Sequence, residues 1–282
     1  MVKIGFSLQP RYDLPIQQVI SLLGSAGFSA VSPVWSQELD MDALANCVQS
    51  HSMTIQSLHA PYKNVECLWE PDSDRAIAAL ERTLGCIDAC AKYSVPVMVI
   101  HGWQGLIYTF PETPLDFRYF DQAVAHAKAK GVCIAFENLE GEEYLAALLS
   151  RYRDQSHVGY CWDSGHDNCY PHKTDFLASY GHRLMMTHLN DNLGLRDPDG
   201  IPSGIDDLHY LPYDGNVDWK KVIHKLKKAK PQHTLNFELK LRSFSTDPED
   251  LIYAQMPLEK FIPLAADRAQ RIAQCYEKAC TV

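Results

Sequence analysis

Eight short β-rich runs alternate with longer helical patterns along this chain, and that alternation constrains its fold more than any other feature. The runs lie at 3–8, 28–33, 54–59, 96–101, 132–137, 157–162, 183–188 and 233–238. Helical spacing fills 14–26, 40–51, 73–93, 116–130, 142–153, 173–181, 218–229 and 257–279. Asp72, Ser73 and Asp74 supply capping residues before one helix, and Gly131 follows the Lys-rich end of another. Eight strand–helix units in 282 residues predict an α/β protein, a (β/α)8 TIM barrel formed as a single domain over residues 1–282. A doubly wound open sheet is the alternative.

Composition narrows the function classes. The hydrophobic fraction of 46% and charged fraction of 22% are those of an ordinary soluble protein. No apolar stretch approaches the ~20 residues of a membrane-spanning helix. The N-terminus enters a strand directly without signal-peptide character, so a cytoplasmic protein with no membrane partner is expected. Nine cysteines is an odd count, and most lie in apolar runs (Cys47, Cys86, Cys90, Cys133, Cys161), which predicts reduced packing residues. The formal net charge of −9 weakens the case for a nucleic-acid partner without excluding one. The dense basic run from Lys220 to Lys230 has the spacing of an amphipathic helix with a solvated basic face. The C-terminal helix is free to pack on its own barrel or on a second subunit, so a homo-oligomer stays open.

Six of the runs end at a side chain of metal-ligand type: His59, His101, Glu137, Asp163, His188 and Glu238. One such residue closing a buried strand is ordinary. Six on successive strands form a partial ring at the end of the barrel where active sites are built. His166, three residues after Asp163, and the pair Asp207 and His209 bring the set to nine. Mixed imidazole and carboxylate donors suit zinc or manganese better than calcium, which prefers oxygen alone. A bound divalent ion is therefore expected. The segment 189–217 lacks periodicity, and a loop of that length inside a compact domain is usually functional. Within it, Asp197-Pro-Asp-Gly200 reads as a plain turn.

Several stretches together resemble the xylose isomerase-like TIM-barrel superfamily, which includes sugar-phosphate isomerases and epimerases and endonuclease IV-type repair enzymes. They are Leu58-His-Ala-Pro-Tyr62, Ile100-His-Gly102, Phe136-Glu-Asn-Leu-Glu-Gly141, Cys161-Trp-Asp-Ser-Gly-His166, His188-Leu-Asn-Asp-Asn192, Asp207-Leu-His209 and Phe237-Glu238. In the single-metal epimerases the resemblance implies a ligand set of Glu137, Asp163, His188 and Glu238. In the endonuclease-like members it implies three metals, with His59, His101, His166, Asp207 and His209 added.

Two chemistries follow from that resemblance. The first is isomerisation or epimerisation of a small carbohydrate, with Glu137 and Glu238 exchanging a proton through an enediolate. Its implied substrate contacts are His166, Glu143 and Arg196, with Trp103 as part of an apolar wall that also draws on Tyr62 and Trp69. The second is phosphodiester hydrolysis at abasic DNA by a metal cluster. Against it stand Leu208, where the repair enzymes carry arginine, and the lack of an aromatic and basic loop set suited to opening a duplex. A metal-holding binding protein without turnover is the third class, and the number of acids and bases round one site argues against it.

Overall fold

Hydrogen-bonded strands in this protein pair only in parallel, which follows from helices intervening between them. The computed structural model describes residues 1–280 apart from Arg11, Asp72 and Phe244. Strands β1 (Lys3–Leu8), β2 (Ala30–Pro33), β3 (Thr54–Ile55) and β4 (Ser57–His59) come first. They are followed by β5 (Val97–His101), β6 (Cys133–Glu137), β7 (Val158–Asp163), β8 (Leu184–His188) and β9 (Thr234–Phe237). The ladders form two sheets, ordered β3-β2-β1-β9 and β4-β5-β6-β7-β8. A parallel bridge from Val34 to His59 joins them at one seam, and one from Leu189 to Phe237 joins them at the other. The ring is closed, so the barrel expected from the alternation is the observed fold and an open sheet is not.

The expected third strand is split at Gln56. Its first half pairs with β2 and its second half with β5, so the chain changes partner at the seam. Inside the barrel, Val99, Ala135, Cys161 and Met186 form a small apolar cluster. Ile134 and Phe136, on either side of Ala135, belong instead to the large cluster packed under the helices. This alternation is the period-two geometry of a strand, and it aims Glu137 into the barrel mouth one step above Ala135.

The helices are α1 (Ile16–Ala26), α2 (Met41–Ser50), α3 (Asp74–Lys92), α4 (Arg118–Lys130), α5 (Glu142–Arg151), α6 (Ser164–Cys169), α7 (Phe176–Tyr180), α8 (Trp219–Lys228) and α9 (Leu258–Cys280). Ser73 caps α3 by accepting from the Ala76 amide at 3.1 Å, while Asp72, also expected as a cap, lies outside the described residues. In α8, Trp219, Val222 and Leu226 are buried and the lysines form the opposite face, as the spacing predicts. All nine cysteines are free thiols. Among the described residues no helix is long and apolar enough to cross a membrane.

Two further elements differ from expectation. The helix expected over 173–181 shrinks to α7, followed by a 3-10 turn at Gly181–Arg183. Helix α6 was not expected, because Ser-Gly-His-Asp-Asn-Cys has neither helical periodicity nor good helix formers. It forms because Asp163, at the end of β7, caps it by accepting from the His166 amide at 2.8 Å.

Candidate metal centre

Parallel strands put all their carboxyl ends on one face, so the nine ligand-type residues meet at one end of the barrel. His59, His101, Glu137, Asp163 and His188 are the last residues of β4 to β8, and Glu238 follows β9 directly. His166 lies in the first turn of α6, and Asp207 and His209 follow a 3-10 turn at Gly204–Asp206. Eight of the nine are buried, while the Glu238 side chain is 20% exposed and so faces the opening. All but Asp163 line a cavity of about 270 Å³, with Tyr62, Gln104, Glu140, Tyr170 and Lys240 among its other wall residues.

The donor atoms of the nine fall into three groups, within each of which they lie no more than 4.8 Å apart, and Cys161, outside the nine, makes a fourth with Glu137 and His188. Glu137, Asp163, His188 and Glu238 form the first; His59, His101 and Glu137 the second; His166, Asp207 and His209 the third. Glu137 is shared by the first two. One of its oxygens is 2.8 Å from His188 Nδ1, and the other is 3.1 Å from His59 Nε2 and 3.4 Å from His101 Nε2. His188 Nδ1 also lies 2.9 Å from Glu238 Oε2.

Ring nitrogens test whether these groups fit a cation. His59 Nδ1 donates to the Ala60 carbonyl at 2.7 Å, His166 Nδ1 to the Asn138 carbonyl at 2.7 Å, and His209 Nδ1 to the Glu238 carbonyl at 3.0 Å. A carbonyl only accepts, so each Nδ1 carries the hydrogen and each neutral ring turns its Nε2 lone pair inward. Those lone pairs face carboxylate oxygens: His59 towards Glu137 at 3.1 Å, His166 towards Asp207 at 3.5 Å, and His209 towards Asp207 at 2.6 Å. Acceptor against acceptor is repulsive unless a proton or a cation stands between. Asp207 Oδ1 and His101 Nδ1 are buried without any partner. Backbone-anchored imidazoles presenting lone pairs beside carboxylates are what a divalent cation needs, and the residues fit zinc or manganese.

Without a cation, protons take its place. Burial pulls the His166 and His188 rings down, but Asp163, Asp207 and Glu137 around His166, and Cys161 with Glu137 and Glu238 around His188, outweigh it and hold both well above the ordinary histidine value. Against the desolvation of burial, surrounding imidazoles hold Glu137 and Asp207 well below the ordinary carboxylate value. Asp163 goes the other way, pushed up to about 6 mainly by complete burial. A histidine whose folded pKa is raised is still protonated near neutral pH and must release that proton to become a ligand. Cation binding at pH 7 is therefore expected to release protons, and affinity should fall as pH is lowered through 6. Titration calorimetry in buffers of different ionisation heat measures this directly. Equal heats in all buffers would show that no proton is displaced.

Two asparagines hold the first group in place. Asn190 Nδ2 donates to both Asp163 oxygens, at 3.0 and 2.9 Å. Asn138 Oδ1 accepts from the Asp163 amide at 2.8 Å and from Tyr160 Oη at 2.9 Å, and its Nδ2 donates to the Asp163 carbonyl at 2.9 Å. A Cβ on Gly165 would collide with Asn190 Oδ1, so only glycine lets Asn190 approach. Gly165→Ala should displace that amide, cost about 1–3 kcal/mol as overpacking, and weaken cation binding by roughly 10–100-fold through lost support of Asp163. A melting curve and a zinc titration of the variant check both effects, and wild-type behaviour in each would sink the assignment.

Three of the expected substrate contacts are not at the cavity wall. Glu143 is in the first turn of α5 and accepts from Tyr108 Oη at 2.6 Å. Trp103 stacks on Tyr144 with ring centroids 4.3 Å apart and donates its Nε1 to the Gly105 carbonyl. Arg196 is turned away into ion pairs with Asp206 and Asp250, at 3.0 and 2.7 Å. In each case a nearer partner of complementary chemistry captured the side chain. Trp69 likewise packs against Phe117, Phe120 and Tyr144 instead of joining the wall. His166 and Tyr62 do line the cavity. Lys240 and Asn190 were missed, although each lies two residues past a strand-end ligand, on the same face of an extended chain. The expected turn at Asp197–Gly200 is present, closed by the Gly200 amide donating to the Asp197 carbonyl at 3.0 Å.

Comparison with known proteins agrees with this architecture. The solved structure of IolI protein with a bound zinc atom superposes with a TM-score of 0.70 at 16% identity, over 97% of this chain and 99% of that one. D-psicose 3-epimerase with D-tagatose, from Clostridium cellulolyticum H10, gives 0.67 at 14% identity over 96% and 99%. A Thermus thermophilus protein soaked with ZnCl2 gives 0.61 at 20% identity over 94% and 98%. At these identities the likeness establishes the fold. A curated relative, the protein y4fM of Sinorhizobium fredii (strain NBRC 101917 / NGR234), is 34% identical over 165 residues, which span 54% of this chain and 49% of that protein. The match thus spans about half the length of that relative. The family model described as xylose isomerase-like TIM barrel matches residues 20–258. The chain belongs to the xylose isomerase-like TIM-barrel family.

Proposed function

We propose that this protein is a divalent-metal-dependent enzyme that isomerises or epimerises a small sugar or sugar phosphate by carboxylate-mediated proton transfer. The observation that carries the reading is the cavity, which encloses about 270 Å³ over the ligand groups. That is near the lower end of ligand pockets, about 300–1,000 Å³, and suits a small polyol better than a duplex. Neighbours of this fold include D-psicose 3-epimerase and 3-keto-D-glucoside 4-epimerase, which supports carbohydrate chemistry.

Glu137, Asp163, His188 and Glu238 are the residues to hold the ion, which when bound would polarise a substrate carbonyl and acidify the adjacent C–H. Both oxygens of Glu137 are engaged by histidines, whereas Glu238 faces the opening. We therefore assign the proton transfer to Glu238. It takes the proton from the carbon beside the carbonyl, and the substrate becomes an enediolate. Shift of the hydroxyl proton from that carbon's oxygen to the former carbonyl oxygen, with return of the first proton to the neighbouring carbon on the same face, completes an aldose–ketose exchange with one carboxylate. His166 sits where it can meet a substrate oxygen, and Tyr62 offers a ring face to the sugar. Tyr170 and Leu139 add apolar surface to the cavity lining.

The test is deuterium wash-in from D2O, followed by NMR, across a panel of aldoses, ketoses and their phosphates with zinc- or manganese-loaded protein. Exchange at a carbon next to the carbonyl is the expected result. A second reading, phosphoester hydrolysis, is favoured by one observation: the two further ligand groups, one of them sharing Glu137. Cleavage of an abasic oligonucleotide or a simple phosphodiester, with no exchange on any sugar, would replace the first reading by the second.

A further inference from the structure

Arg196 has three acceptors within reach. Its Nε donates to Asp206 Oδ1 at 3.0 Å, Nη1 to Asp250 Oδ1 at 2.7 Å and Nη2 to the Ile205 carbonyl at 3.1 Å. Both carboxylate side chains are only 4% exposed. Asp206 also accepts from the Ser203 amide at 3.1 Å, completing the capping box of the Gly204–Asp206 turn. Asp250 lies in the loop between β9 and α9, where its other oxygen accepts from Ser245 Oγ at 2.5 Å. Its backbone carbonyl accepts from Tyr210 Oη at 2.8 Å. One guanidinium therefore ties the loop before α8 to the loop before α9.

The tied turn leads directly into Asp207 and His209. His209 has a positive φ of 51°, a conformation a non-glycine residue keeps only when its surroundings over-determine it. His209 is fixed on one side, since its Nδ1 donates to the Glu238 carbonyl at 3.0 Å and its carbonyl accepts from the Lys240 amide at 3.0 Å. Among the described residues the side chain of Asp207 meets only the rings of its own group, His209 at 2.6 Å and His166 at 3.5 Å, and its Oδ1 is buried without a partner. What precedes it in the chain is the turn that Arg196 holds.

We infer that Arg196 is a positioning residue, whose clasp on Asp206 and Asp250 delivers Asp207 to His166 and His209 as one cation-holding group. The inference rests on the reading that this third group holds a cation. A planar fork donating along several directions is required, because the two carboxylates approach from different loops. The point charge of lysine cannot replace it.

Zinc titrated into the chelator-stripped full chain, followed by calorimetry with a competing chelator, resolves the classes of site. His209→Ala should remove or weaken one class, and Arg196→Lys should weaken that same class by roughly 10–100-fold while leaving the others at wild-type affinity. Asp250→Asn should shift the same class in the same direction, and serves if the lysine variant fails to fold. A purely structural clasp would lower the melting temperature of the stripped chain and loosen every class together, or none, and either pattern overturns the inference. If His209→Ala loses a class that Arg196→Lys and Asp250→Asn both retain at full affinity, the clasp is wrong and the third group stands. If His209→Ala binds zinc as wild type does, the third group is not a cation site, and the inference falls with it.

Discussion

Glutamine in place of Glu137 is expected to strip cation from two of the three ligand groups at once. Glu137 is 1% exposed and stands between His59, His101 and His188, so no other side chain joins as many donors. Changing only a residue that supports a ligand weakens metal binding about 10–100-fold, and losing a shared ligand charge should exceed the upper end of that range. The metal-free protein should suffer as well. Breaking a buried charge pair by removing one partner costs about 3–5 kcal/mol, and two of the partners left behind, His101 and His188, are imidazoles whose charged form burial disfavours. Elemental analysis after gel filtration, with a melting curve beside it, measures both effects. A variant that keeps the wild-type metal content would show that Glu137 is not the shared ligand.

Glutamine at Glu238 should act differently, with the loss falling on chemistry more than on structure. The side chain is partly exposed at the cavity opening, and His188 and His209 are its imidazole neighbours. Against the desolvation of burial, those neighbours and Lys240 hold the carboxyl below its ordinary value, so it is ionised and able to accept a proton near pH 7. Removing a general base typically costs about 10²–10⁴-fold in rate. Deuterium incorporation into substrate should fall by about that factor when measured at saturating zinc or manganese, where weaker metal binding is overcome. Undiminished incorporation under those conditions would move the base elsewhere. Glu140, which also lines the cavity and whose carboxyl burial raises, would be the next residue to change.

The two effects separate because the two carboxylates differ in surroundings, although their strands look alike in sequence. Glu137 and Glu238 each close or directly follow an apolar run of a few residues, and nothing local distinguishes them. Neighbouring strands make the difference. In register, Glu137 lies beside His101 on β5 and Cys161 on β7, so it is surrounded from both sides. Glu238 stands at the seam, where β9 meets the residue after β8 through the bridge from Leu189 to Phe237, and its side chain is 20% exposed.

The periodicity of this chain by itself determined an α/β protein with parallel strands, and strand-end position placed six of the nine ligand-type side chains at one end of them. Both are local properties: strand alternation sets which side chains point inward, and parallel connection sets which end they reach. Grouping the nine was decided only by the tertiary structure. Carbonyls of Ala60, Asn138 and Glu238 select the ring nitrogen each histidine turns inward, and two of the three come from a segment remote in sequence from its histidine. Arg196 shows the same limit. The family resemblance implied a substrate contact there, yet Asp250, 54 residues away, claims its guanidinium. Charged side chains settle on the partner that burial brings nearest, and chain spacing carries no record of that distance.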